Sequence, residues 1–120
     1  MAWDVEYTEE FEEWWNELSE DEQAKVNASV MLLELDGPNL KFPHSSGVAK
    51  SRHSSMRELR VQVQGDPYRV LYAFDPRRSA ILLIGGNKTG HGRWYETYVP
   101  VADDLLDRHL DALKKEQHNG

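Results

Sequence analysis

Two arginines in strand-like surroundings, Arg60 and Arg69, are the residues of this chain best suited to chemistry on an anion. A guanidinium is planar, stays charged at physiological pH and can meet two phosphate oxygens at once. Arg60 alternates away from Leu59, Val61 and Val63 on its own run, and Arg69 on the neighbouring run can share the surface it faces. The pair is a candidate phosphate clamp; pairing with a nearby carboxylate such as Glu58 is the other use open to the same side chains. Lys88 closes an apolar run and offers a further cation or, with a depressed pKa, a proton carrier. His91 follows closely and is the candidate general acid or base, because imidazole titrates near neutrality. Arg93, Trp94 and Tyr95 set two large rings beside a guanidinium, which suits stacking of single-stranded bases or packing of a helix on a sheet. Lys50, Arg52 and His53, with Arg57 further on, are candidates to track a phosphate backbone; a solvated loop is the alternative for the first three.

Other site chemistries find no support in the sequence. Cysteine is absent, the histidines lack close ligand spacing, and Gly85-Gly86 lacks the lysine-threonine signature of a phosphate loop, so neither a metal nor a cofactor is expected. Absence of cysteine also removes any disulfide framework and favours a reducing cytoplasm. The start Met1-Ala2-Trp3-Asp4 lacks the basic and apolar blocks of a signal peptide, and the longest apolar run, Ala80 to Ile84, has strand length, so no membrane association is expected. The formal charge of -7 argues against a polyanion partner until it is divided by segment. Residues 1–36 hold 12 acids and 1 base, residues 37–100 hold 4 and 10, and residues 101–120 hold 5 and 3. A basic middle between acidic ends fits a protein that meets a polyanion with one face only.

The elements that must position these residues follow from periodicity. Trp3 to Tyr7 alternates and predicts a first strand. Thr8 can cap a helix whose Phe11, Trp14, Trp15 and Leu18 recur at the spacing of one buried stripe. Ser19 to Glu22 has the capping-box pattern, starting a second helix that carries Val26, Val30 and Leu33 inward until Gly37-Pro38. Residues 39–55 have neither period and predict a loop long enough to suggest a function. Met56–Val63, Tyr68–Phe74 and Ala80–Asn87 predict an antiparallel meander joined by short turns, the last strand buried on both sides. Pro100 is expected to open a final helix with an apolar stripe through Leu105, Leu106 and Leu113, fraying into a polar tail from Lys114. Residues 1–116 then make one domain, with 117–120 a disordered tail.

Three of these segments resemble the RelE/ParE toxin superfamily, in the correct order. Met56-Arg57-Glu58-Leu59-Arg60 looks like its L-R-E-L-R strand, Tyr68-Arg69-Val70-Leu71-Tyr72 like its Y-R-V-L-Y strand, and Ile81 to Ile84 running to Lys88 like its apolar strand that ends at a lysine. Phe11 to Leu18 is similar to the family's helical opening. Many relatives are basic overall and have paired lysines after the last strand, whereas here Thr89 follows Lys88. Asn87-Lys88-Thr89-Gly90 followed by Arg93-Trp94-Tyr95 is closer to a HigB-like branch related to the phage Gp49 proteins.

The resemblance implies an α+β fold of RelE type: a small, mostly antiparallel sheet with an N-terminal helical hairpin on one face and a C-terminal helix. It also implies a toxin of a type II toxin-antitoxin system, an endoribonuclease that cleaves messenger RNA on the ribosome and inhibits translation. The 2′-hydroxyl of RNA would attack the adjacent phosphate, leaving a 2′,3′-cyclic phosphate and a 5′-hydroxyl, so the protein must orient the chain, neutralise growing charge and move protons. Arg60, Arg69, Lys88 and His91 would carry catalysis; Lys50, Arg52, His53, Arg57, Arg93, Trp94 and Tyr95 would bind RNA. The implied partner is a helix-turn-helix, HigA-like antitoxin in a hetero-oligomer. A ParE-like inhibitor of DNA gyrase and a non-toxic phage-derived interaction module stay open as alternatives, because one fold hosts several activities.

Overall fold

The computed structural model describes residues 2–119. Its elements are, in chain order, β1 (Val5–Tyr7), α1 (Glu9–Asn16), α2 (Glu20–Asp36), β2 (Ser45–Gly47), β3 (Arg57–Val63), β4 (Asp66–Phe74), β5 (Ala80–Asn87) and α3 (Trp94–Asn119). The strands form one sheet in the order β1-β5-β4-β3-β2, antiparallel except for the β1–β5 pair. No helix among the described residues is long and apolar enough to cross a membrane.

The N-terminal hairpin forms as its caps require. Thr8 accepts the Phe11 N–H at 3.0 Å, and the Ser19/Glu22 capping box closes both ways, at 2.8 and 3.2 Å. Phe11, Val26 and Leu33 are buried against Leu59, Val61, Val63, Val70 and Tyr72 of the sheet, with Trp14, Trp15 and Leu18 packed around them. On the opposite face, α3 lays Trp94, Val99, Ala102, Leu105 and Leu106 over Leu71, Ala73, Ile81 and Leu83. The result is a helix–sheet–helix sandwich with an apolar core on each side of the sheet.

Two details of β5 shape the charged face of the sheet. Leu71 pairs with Ile84 but Tyr72 pairs with Leu82, so Leu83 is an extra residue, a β-bulge. Its carbonyl accepts from the Thr8 hydroxyl at 2.7 Å. Leu83 and Ile84 therefore both face α3, and the side-chain alternation is shifted by one beyond them. Gly85 and Gly86 then lie under indoles on opposite faces: a Cβ on Gly85 would meet the Trp14 ring at 2.3 Å, and one on Gly86 would meet Trp94 Nε1 at 2.7 Å. Only glycine lets either ring sit this close to the backbone.

Three expectations need correction. The long loop contains β2, which adds a fifth strand beside β3. The final helix starts at Trp94, and Pro100 lies inside it. A proline there removes one helical hydrogen bond at a cost of about 3 kcal/mol, which the burial of Trp94 and Val99 before it and Ala102 and Leu105 after it offsets. The helix also continues through the segment read as a polar tail, to Asn119; of residues 117–120, Gly120 lies outside the described residues.

Candidate active site

On the face of the sheet that carries α3, the strand register brings the charged residues together. Arg60 of β3 is the direct partner of Arg69 on β4, and Arg69 is the direct partner of Gly86 on β5. Side chains alternate along a strand, so Glu58, two residues before Arg60, shares its face, and Ser46 of β2 stands opposite Glu58. Beyond the bulge the same parity carries Lys88 to this face, its backbone N–H held by the Pro67 carbonyl at 3.0 Å. The bare backbone of Gly86 seats Trp94, and this contact fixes the first turn of α3 so that Tyr95 closes over the charges.

The Glu58 carboxylate lies at the centre, with its side chain only 4 % exposed. Its Oε1 accepts from Arg60 Nη1 at 2.9 Å and from the Ser46 hydroxyl at 3.2 Å. Arg69, itself 6 % exposed at the side chain, places Nε at 3.4 Å from the same oxygen. That distance gives charge attraction, but the group is not aimed well enough to donate: Arg69 Nε has no hydrogen-bond partner among the described residues, while Nη1 donates to the Tyr68 carbonyl at 2.9 Å. Arg60 also lies over the Phe42 ring, 5.0 Å from its centroid.

Lys88 Nζ stands 3.4 Å from the Tyr95 hydroxyl and 4.9 Å from its ring centroid. Burial, and then the Arg69 charge, lower the Lys88 pKa from the ordinary lysine value. Burial, followed by the neighbouring Glu58 carboxylate, raises that of Tyr95. One carboxylate thus faces three cations, and the cluster keeps a positive surplus. Beside it opens a cavity of about 480 Å³, lined by Ser46 to Lys50, Glu58, Arg60, Gly92, Arg93, Tyr95 and Glu96. A smaller one, about 360 Å³, joins Lys88 to Gly90, His91, Gly92, Trp94 and Tyr95. Such a place can hold an anionic, partly extended ligand at Arg60, with the Arg69 charge behind it, and pass protons between a lysine and a phenol.

Of the residues singled out in the sequence, the structure gathers Arg60, Arg69, Lys88 and Tyr95 into the cluster and sets Lys50 and Arg93 on the cavity rim. His91 is exposed and lines the smaller cavity, its ring leaning towards Tyr98 with centroids 6.2 Å apart. Four residues do not join. Trp94 is 2 % exposed, a core residue with no free ring face for a base. Arg57 points to the other face of the sheet, where its Nε donates to Ser45 at 3.1 Å. Arg52 is bound by Asp104 and Asp107 of α3 at 3.0 and 2.6 Å, and His53 by Asp107 at 2.7 Å, so both side chains are already engaged. The Asp103 carboxylate completes this anchor by accepting from the Ser51 hydroxyl and the Arg52 N–H. Glu58 and Ser46 were not among the expected site residues. The parity that put Arg60 on this face applies equally to Glu58, whereas nothing in the loop sequence announced β2.

Comparison with known proteins bears on the family and the fold. The family described as phage derived protein, Gp49-like, matches residues 13–107. A Mycobacterium tuberculosis protein named as toxin HigB3 is 43% identical over 110 residues, covering 91% of each chain. A second from that organism, named as toxin HigB2, is 38% identical over 112 residues and 92% of this chain, which spans 55% of that relative. Among solved structures, a mutant of the E. coli toxin RelE in the free state superposes with a TM-score of 0.58 at 11% identity, over 90% of this chain and 98% of that one. The intact E. coli RelBE toxin-antitoxin complex contains a chain with a TM-score of 0.52 at 12% identity, over 71% of this chain and 95% of that one. The two superpositions establish a shared fold.

Proposed function

The chain belongs to the phage-derived Gp49-like family, a HigB-like branch of the RelE superfamily, and on that premise we propose that it is the toxin of a type II toxin-antitoxin system that acts in the cytoplasm by cutting messenger RNA on the ribosome. The observation that carries the nuclease reading is the unmatched positive charge of Arg60, Arg69 and Lys88 around one buried carboxylate, beside an open cavity.

The nucleophile is the RNA's own 2′-hydroxyl. Its oxygen forms a bond to the adjacent phosphorus while the bond to the 5′-oxygen of the next nucleotide breaks, giving a 2′,3′-cyclic phosphate and a 5′-hydroxyl. Arg60 and Arg69 hold the non-bridging oxygens, where charge grows in the transition state. Lys88, whose proton burial and the Arg69 charge loosen, takes the 2′ proton once it has given up its own; Tyr95, with its raised pKa, keeps the proton that the leaving oxygen needs. Glu58 orients both arginines, and Arg93 and Lys50 on the rim meet flanking phosphates. A helix-turn-helix antitoxin is the partner that keeps the toxin silent.

Induced expression in a bacterial host, with RNA ends mapped before growth stops, tests the reading. New 5′-hydroxyl ends with wild type, and none with Arg69→Ala at equal soluble yield, are expected. Growth arrest with DNA damage and no new RNA ends would instead support gyrase inhibition; harmless expression would leave an interaction module.

A further inference from the structure

The opposite face of the sheet carries a further opening that the nuclease reading does not use. It is a groove of about 430 Å³ between β1, α1 and α2, walled by Val5, Phe11, Trp15, Val30 and Leu82 and rimmed by Glu12 and Glu34. Tyr7, 57% exposed, lies at its β1 side, and β1 is an edge strand of the sheet. Along α2 the groove is lined by Asn27, Val30 and Glu34, a span of two helical turns or about 10 Å. Met31 and Leu35, 54% and 68% exposed, extend the apolar surface outward on the same helix.

Charge decides what can fill it. The acids of this region that touch the rest of the molecule are matched: Glu6 with Arg77 at 2.9 Å, Glu10 with Arg108 at 2.7 Å, and Glu22 with the Tyr68 hydroxyl. Glu12 and Glu34 on the groove rim enter no ion pair among the described residues. With 12 acids to 1 base over residues 1–36, the surroundings repel nucleic acid and anionic lipid. A cationic protein segment with an apolar stripe is complementary in both respects, and anchors one and two turns apart on a helix match the two-turn length of the groove.

We propose that the β1/α1/α2 groove is a docking site for a basic amphipathic helix of the partner protein, on the face of the sheet opposite the Arg60/Arg69 cluster. Calling that partner the antitoxin rests on the toxin reading; the groove and its preference do not. Docking and RNA cleavage then occupy separate surfaces, so an occupied groove leaves the arginines open. The partner would need a second segment to cover them.

The test uses the full chain and three synthetic peptides of about 18 residues, five turns of helix: a Lys/Leu amphipathic helix, the same composition in scrambled order, and a Glu/Leu helix. Tryptophan fluorescence and titration calorimetry read occupancy, and Trp15→Phe assigns the fluorescence change to the groove. Micromolar binding of the Lys/Leu helix alone is expected, weakened at least about tenfold in Glu12→Lys/Glu34→Lys. Glu13→Lys/Asp36→Lys makes the same net charge change outside the groove and should weaken it less than about twofold. Circular dichroism melts confirm that both variants are folded. Equal loss in both variants, or equal binding of the scrambled peptide, overturns the proposal. RNA cleavage by Glu12→Lys/Glu34→Lys should stay at the wild-type rate. Cleavage without peptide discrimination sinks the groove and spares the nuclease; peptide discrimination by a wild type that cuts no RNA does the reverse.

Discussion

Of the three carboxylates buried on the α3 side among the described residues, Glu58, Asp75 and Asp103, the first two have surroundings that differ in one decisive way. Asp75, at the end of β4, has a fully buried side chain and five donors: the backbone N–H groups of Arg77 and Ser79, Arg77 Nε and Nη2, and His109 of α3 at 2.9 Å. Arg77 goes on to Glu6 at 2.9 Å, so its guanidinium is shared between two carboxylates, and His109 of α3 closes the site. Glu58 is almost as buried, yet it answers two arginines and a lysine, leaves Arg69 Nε without an acceptor among the described residues, and borders an open cavity. A matched cluster is a staple; a buried cluster with surplus charge of one sign and an open side is poised for a ligand of the other sign.

The contrast can be undone at either end. The largest effect is expected from Arg69→Ala, which should slow RNA cleavage by about 10²–10³-fold, as loss of a transition-state donor does; single-turnover kinetics measure it. Asp75→Ala should do the opposite, lowering stability by about 2–3 kcal/mol through lost charged hydrogen bonds while cleavage below the new melting temperature stays within about twofold of wild type. Urea melts against activity separate the two, and a variant pair that loses both properties together would erase the distinction.

Acid should separate the clusters further. The Asp75 pKa is lowered in the folded state: burial opposes the shift, and the Arg77 and His109 hydrogen bonds outweigh it. Its contribution to stability is therefore present above the unfolded carboxylate value, about 3.9, and lost as pH falls through the lower folded value. Asp75→Asn should flatten that part of the acid-unfolding curve. At the other cluster, cleavage should rise with pH as Lys88 loses its proton, with a midpoint below the usual lysine range. Lys88→Arg, which keeps the charge but not the titration, should remove the rise. The smallest effect is expected from His91→Ala, less than about threefold, because an exposed loop imidazole sits outside the arginine cluster.

Much of this was readable from residue types. The alternation Leu59-Arg60-Val61 fixed which way Arg60 points, and the turn lengths implied that Arg69 lies beside it. The indole stripe and the capping box predicted the N-terminal hairpin to within a residue or two. What escaped depended on distant partners. The run Ile81 to Ile84 is apolar without period, so nothing marked the bulge at Leu83 that resets the side-chain parity before Lys88. Trp94 suited a base platform or a core plug equally well until Gly86, across a loop, supplied its seat. Arg52 and His53 looked available because the Asp103, Asp104 and Asp107 that take them lie a whole sheet away in the chain. β2 is three residues long and exists only because β3 offers it an edge, so no local pattern could announce it.

The decisive kinetic comparison is single-turnover cleavage of a short messenger RNA in the ribosome, beside the same RNA with a 2′-deoxy sugar at the cut nucleotide. Cleavage of the ribose substrate to a cyclic phosphate, with the deoxy substrate intact, is the predicted result. Equal cutting of both would show that the nucleophile does not come from the RNA, and the arrangement proposed around Arg60 and Arg69 would be wrong.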